Sequence, residues 1–231
     1  MRIALIGDYS EDVIAHHAIE ASLTLAASQT GQDITYEWLP TADLLDPQVL
    51  SDYAGAWVVP ASPYASFDNV ITALHYIRTH QKPFLGTCGG YQHALVEFAR
   101  NKLGQRQAGI TEIEPDCPMP LVSSLVCALI EETDPVLPEK GGLIAQTCGT
   151  DPLTETYHCS FGLNPDHAFI FDNTDLKVAA RAPDGAIRAM ALDTHPFYLG
   201  TAFQPERAAL EGRVHPIVAA FLSAATSGQA S

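Results

Sequence analysis

The stretch Pro83-Phe84-Leu85-Gly86-Thr87-Cys88-Gly89-Gly90-Tyr91-Gln92-His93-Ala94-Leu95 most constrains what this chain can fold into. A short apolar run ends in Gly-x-Cys-Gly-Gly, and residues with helical apolar spacing (Ala94, Leu95, Phe98) follow at once. The pattern predicts a strand, a sharp turn and a helix, with Cys88 at the turn. Such a nucleophile elbow strains the central residue and brings backbone segments close together, which accounts for Gly86, Gly89 and Gly90 around the cysteine. A helix N-terminus favours the thiolate, so Cys88 is expected to be a reactive nucleophile with a depressed pKa. The competing reading is a buried cysteine serving as a small core hydrophobe.

Strand and helix signals alternate on both sides of the elbow. Arg2–Gly7 reads as a buried strand, 11–28 as a helix, 33–39 as a second strand and 55–60 as a third that stops at Pro60. Phe67–Thr79 reads as a helix and Pro83–Thr87 as the strand before Cys88. This order predicts a single α/β domain, a central mostly parallel sheet flanked by helices, flavodoxin-like, with ligands at the carboxyl ends of its strands. The proline-rich middle, 105–142, reads as loops with one strand at 125–130. Beyond it, strands are expected at 143–147, 157–163, 168–172, 178–182, 187–192 and 198–203, then a helix over 214–225. The domain is placed at 1–226 and a frayed tail at 227–231.

Composition narrows the function. Twelve Lys and Arg against 27 Asp and Glu give a formal net charge of −15, which repels polyanions, so neither nucleic acid nor an anionic membrane is an expected partner. Five cysteines (Cys88, Cys117, Cys127, Cys148, Cys159), an odd number with no Cys-x-x-Cys spacing, suit a reducing compartment and offer no zinc site. A cytoplasmic protein without metal or cofactor is expected.

The elbow, read as Leu85-Gly86-Thr87-Cys88-Gly89-Gly90-Tyr91-Gln92 and running into Glu97-Phe98-Ala99-Arg100-Asn101, resembles the class I glutamine amidotransferases. Within them it is closest to the amidotransferase domain of CTP synthase. His195-Pro196-Phe197-Tyr198, Phe203-Gln204-Pro205-Glu206 and Gly212-Arg213-Val214-His215-Pro216 extend the similarity to nearly the whole chain. The resemblance implies a Cys88 nucleophile, a general base in the position of Gln204, and Glu206 to orient that base. It also implies an oxyanion loop at Val59-Pro60-Ala61-Ser62-Pro63-Tyr64, Glu112 as binder of a substrate ammonium, and Gln92 beside the elbow. Where the family has its base histidine this chain has Gln204, which takes up no proton near neutral pH. Where the family loop has glycines stand Ala61 and Ser62, for which positive φ is costly, and Pro63 removes an N–H donor. Where the family has an arginine for the glutamine carboxylate stands Ser160, in His158-Cys159-Ser160. His158 is therefore the candidate replacement base.

Three readings remain open. Cys88 acts on an amide or acyl group of a small amino-acid-like molecule other than free glutamine; or the fold is kept for binding or regulation without turnover; or the chain is a glutaminase subunit that feeds ammonia to a separate synthetase partner. The oligomeric state is left open.

Overall fold

The computed structural model describes residues 1–228. In them, ten strands and five α-helices follow in the order β1 (Arg2–Ile6), α1 (Ile14–Thr30), β2 (Thr35–Leu39), β3 (Gly55–Val58), α2 (Phe67–Thr79), β4 (Phe84–Thr87), α3 (Gly89–Glu97), β5 (Ala108–Ile110), β6 (Met119–Pro138), α4 (Leu143–Cys148), β7 (Leu153–Leu163), β8 (Leu176–Arg181), β9 (Ile187–Leu192), β10 (Tyr198–Thr201) and α5 (Pro216–Ser227). The sheet runs β2-β1-β3-β4-β10-β9-β8-β6-β5, with β7 paired to β6. Strands β2, β1, β3, β4 and β10 lie parallel. From β10 outward, β9, β8, β6 and β7 continue the sheet as an antiparallel ladder.

The expected single α/β domain with a mostly parallel central sheet is what the chain forms. Its first parallel strands are continuous apolar runs because helices cover both faces, and every residue of β3, β4 and β10 is buried. Trp57, Tyr198, Phe84, Phe203 and Phe221 are the large side chains filling this core. Cys88 follows β4, at the carboxyl end of the parallel strands.

Four expectations are corrected. The proline-rich middle is mostly strand, since β6 runs from Met119 to Pro138. It pairs with β5 only over Met119–Val122 and with β8 only at Leu137 and Pro138. Between those two stretches β6 has β7 alone beside it, so Pro135 can occupy a sheet edge without a ladder hydrogen bond being lost. The stretch expected as a strand over 143–147 is the short helix α4, closed by Gly149 at φ 92°. The stretch 168–172 belongs to a 3-10 helix, Pro165–Phe171, opened by the Asn164 side chain accepting from the Asp166 N–H at 3.0 Å with Pro165 in the first turn. At the end of the chain Ser227 is the last residue of α5 rather than part of a tail, and the expectation for 229–231 lies outside the described residues.

Candidate active site

Cys88 sits between β4 and α3 with φ 51° and ψ −105°, a conformation that costs a non-glycine residue about 1–3 kcal/mol. The elbow is held against the sheet by the Cys88 N–H, which donates to the Thr201 carbonyl at 2.8 Å. The glycines have packing roles beneath it. A β-carbon on Gly90 would stand 2.1 Å from the Val58 carbonyl oxygen, and one on Gly86 would stand 2.5 Å from the Phe84 ring. A β-carbon on Gly89 would press on Ser62 and Tyr64 at 3.1 Å. None of the three glycines is among the residues lining the cavity at Cys88.

That cavity, about 330 Å³, is lined by Ala61, Ser62, Cys88, Gln92, Glu112, His158, Ser160 and Gln204, all singled out from the sequence. Asp12, Glu131, Cys159, Phe161 and Arg207 line it as well. The loop over Cys88 keeps a positive φ, 76° at Ala61, despite the loss of glycine. Two anchors hold it there. The Asp8 carboxylate accepts from the Thr41 and Ala65 N–H groups at 2.9 and 2.7 Å, and His16 Nε2 lies 3.2 Å from the Pro60 carbonyl. His16 is thus a buried loop anchor, and burial lowers its pKa. Ser62 Oγ donates to Glu112 Oε2 at 3.1 Å, which fixes a carboxylate at the cavity wall. Gln92 Nε2 donates to the Phe161 carbonyl at 2.9 Å, leaving its buried Oε1 without a partner among the described residues.

The groups around the sulfur differ from expectation. Cys88 Sγ is 2.8 Å from Cys159 Sγ and 3.4 Å from the His158 carbonyl oxygen. His158 thus offers Cys88 its backbone rather than its ring, because β7 alternates: Tyr157 and Cys159 point inward, His158 and Ser160 outward. The His158 imidazole is half exposed and lies 2.8 Å from Glu131 Oε1. In this arrangement the ring makes no hydrogen bond to the Cys88 sulfur. Inside α3, His93 lies beside the Tyr64 and Phe67 rings with Nδ1 2.8 Å from the Gly89 carbonyl, and burial pulls its pKa down to about 4. It is a neutral packing residue.

Gln204 is buried, its N–H donating to the Thr156 carbonyl at 2.9 Å and its Oε1 accepting from Arg207 Nε. Arg207 also forms a two-pronged pair with Glu131 at 2.8 and 2.9 Å. Arg207, then His158, lowers the Glu131 carboxyl to about 2. Glu206 is fully buried; Thr87 Oγ1 donates to its Oε1 at 3.2 Å, and its Oε2 has no partner among the described residues. Burial pushes its pKa up to about 8, so this carboxyl is protonated at neutral pH. The thiol behaves likewise: the Cys159 sulfur, burial and Glu206 raise Cys88 well above the ordinary cysteine value, against a smaller pull from the Gly89 N–H. The depressed pKa expected from the helix terminus does not follow, because the contact with the Cys159 sulfur, and after it burial, outweighs the pull of the Gly89 N–H.

Cys159, Arg207, Asp12 and Glu131 are site residues that sequence reasoning passes over. The in-out alternation of β7 carries the signal for Cys159, whereas Arg207 gives none beyond following Glu206. Among the described residues no group of His, Cys, Asp and Glu has the arrangement of a metal site, and no helix is long and apolar enough to cross a membrane.

The sequence profile described as glutamine amidotransferase class-I matches residues 15–224. A CTP synthase of Dehalococcoides mccartyi is 29% identical over 238 residues, covering 97% of this chain and 44% of that enzyme. A CTP synthase of Methanopyrus kandleri is 28% identical over 240 residues, covering 97% and 45%. The chain therefore spans less than half the length of these relatives. Among solved structures, the glutaminase domain of Trypanosoma brucei CTPS with bound acivicin superposes with a TM-score of 0.87 at 18% identity, over 98% of this chain and 94% of that one. A glutamine amidotransferase from Thermotoga maritima gives 0.61 at 12% identity, over 98% and 96%.

Proposed function

The chain belongs to the class I glutamine amidotransferases, and from that premise we propose that its pocket holds a small amino-acid-like amide without hydrolysing free glutamine. The observation that carries the proposal is the surroundings of the Cys88 sulfur: its hydrogen-bond neighbours among the described residues are a second sulfur and a carbonyl oxygen, with no imidazole. Acyl transfer from an amide needs a base to take the thiol proton and an acid to give one to the departing amine. Gln204 can do neither, and Glu206, protonated and lacking a histidine to orient, has lost its task.

The cavity walls support the ligand class. Glu112 and Asp12 supply carboxylates for an ammonium group, and the unpartnered Gln92 Oε1 offers an acceptor to an amide N–H. Among the described residues Arg207 is the one arginine on the cavity wall, and it is already taken by Glu131 and Gln204, so a free α-carboxylate meets no unengaged guanidinium there. A ligand with a capped or missing carboxylate fits this charge pattern better than glutamine does. Delivery of ammonia to a synthetase partner would require the hydrolysis that this site is not equipped to perform.

Titration calorimetry with L-glutamine and with carboxyl-amidated glutamine tests the reading. Tighter binding of the amidated ligand, with no ammonia released from either, is expected; tight binding of free glutamine accompanied by its hydrolysis would contradict it. A second reading is favoured by the strain kept at Cys88, φ 51° on a non-glycine residue, which a binding site would not need. On that reading Cys88 attacks an activated acyl carbon whose leaving group needs no proton. An acyl-enzyme mass on Cys88 after incubation with an activated ester analogue of the ligand would support this reading over the first.

A further inference from the structure

Two free cysteines meet at the cavity floor, and neither the binding reading nor glutamine chemistry uses the second of them. Cys88 Sγ and Cys159 Sγ stand 2.8 Å apart, both buried, both carried on fixed elements, the elbow and β7. Each sulfur has one further hydrogen-bond neighbour among the described residues, a backbone carbonyl: that of His158 for Cys88, at 3.4 Å, and that of Ala202 for Cys159, at 3.1 Å. A disulfide needs a sulfur separation of about 2.05 Å, so the two sulfurs, at 2.8 Å, must approach by about 0.75 Å to close the pair. Cys159 comes to Cys88 from a strand seventy-one residues further along the chain, and the inward alternation of β7 aims it there.

We propose that Cys88 and Cys159 form a redox-active dithiol that reduces a small hydroperoxide and closes to an intramolecular disulfide. In the first step the Cys88 thiol sulfur attacks the terminal peroxide oxygen. A sulfur–oxygen bond forms, the oxygen–oxygen bond breaks, and the departing alkoxide takes the thiol proton to leave as an alcohol. Cys88 is then a sulfenic acid. In the second step the Cys159 sulfur attacks the Cys88 sulfur, the sulfur–oxygen bond breaks, and the departing hydroxide leaves as water with the Cys159 proton. Two thiols and one hydroperoxide thus become one disulfide, one alcohol and one water. An external thiol reductant returns the pair by exchange. The oxidant is assigned as small and uncharged because Asp12, Glu112 and Glu131 line the cavity and the chain carries −15, which turns away anionic disulfides. The second step is intramolecular and already positioned, so it outruns the encounter of two chains.

The test uses the full chain, reduced and freed of reductant, then treated with one equivalent of hydrogen peroxide and mapped by mass spectrometry. The expected result is loss of two of the five free thiols, with a cross-linked peptide joining Cys88 to Cys159 whose yield does not change on dilution and which dithiothreitol reverses. In Cys159→Ser, dimedone is expected to trap a sulfenic acid on Cys88; Cys159→Ala serves if the serine variant fails to fold. Oxidation confined to Cys117, Cys127 or Cys148, or oxidation of Cys88 to sulfinic acid in the native chain without a cross-link, would overturn the proposal. So would a Cys159 variant whose peroxide consumption equals that of the native chain. None of these readouts depends on what the pocket binds, so failure here leaves the binding proposal intact and the reverse also holds.

Discussion

At the scale of single residues, the site is governed by buried groups with few hydrogen-bond partners. Glu206 is a carboxyl left in the core with one side-chain hydrogen bond and no imidazole, and its pKa of about 8 in the folded chain lies above the ordinary 4.5. A carboxyl that binds its proton more tightly when folded costs no stability below about pH 4.5, and then destabilises progressively as pH rises toward 8. The loss across that window is on the order of 5 kcal/mol at most. Glu206→Gln, which mimics the protonated form, is expected to flatten this part of the stability-versus-pH curve in urea titrations; an unchanged slope would show that another group carries it. Gly90 is constrained by space alone. With a β-carbon 2.1 Å from the Val58 carbonyl, Gly90→Ala must displace α3 or β3, at about 1–3 kcal/mol or more. A melting temperature equal to that of the native chain would contradict the close approach that lets the elbow form.

Among elements, α2 and α3 are joined through one buried ion pair. Arg78 Nε and Nη2 donate to the two Glu97 carboxylate oxygens at 2.8 and 2.7 Å, and Asn101 adds a bond at 3.3 Å. Glu97→Ala leaves a guanidinium in the core without its carboxylate, and about 3–5 kcal/mol of stability is expected to go with it, measurable by denaturant unfolding. Exposed pairs such as Arg213–Glu211 are expected to contribute less than about 1 kcal/mol by the same assay. The elements legible in the sequence are those with long, continuous signals. The helix Phe67–Thr79 falls where the spacing places it, and β1, β3 and β4 read as apolar runs because both their faces are covered. The elements that the sequence misplaces are short or depend on what lies beside them. Six residues of α4 are too few to display a helical period, and β6 keeps its prolines only because part of it has no second neighbour. Neither circumstance is written locally in the sequence.

For the whole molecule, the fold and the position of Cys88 are legible, whereas the chemistry at the sulfur is not. A Gly-x-Cys-Gly-Gly turn locates a cysteine at a strand tip, but its ionisation depends on what the rest of the chain brings up to it. Here that is Cys159 from β7 and Glu206 after β10, and neither spacing announces the contact. Similarly, Gln204 is visible as a departure, but its capture by Arg207 is not. The charge of −15 belongs to this scale as well: the chain is expected to pass unretained over immobilised DNA at low salt, and retention would show a basic patch that the net charge conceals. The central claim is that the pocket is kept while the hydrolytic relay is gone. It is tested most directly by the steady-state rate of ammonia release from L-glutamine by the native chain, with Gln204→His alongside. No release above the buffer blank is expected from the native protein, and no more than partial recovery from the variant; release by the native protein at roughly 1 per second or faster would contradict the claim.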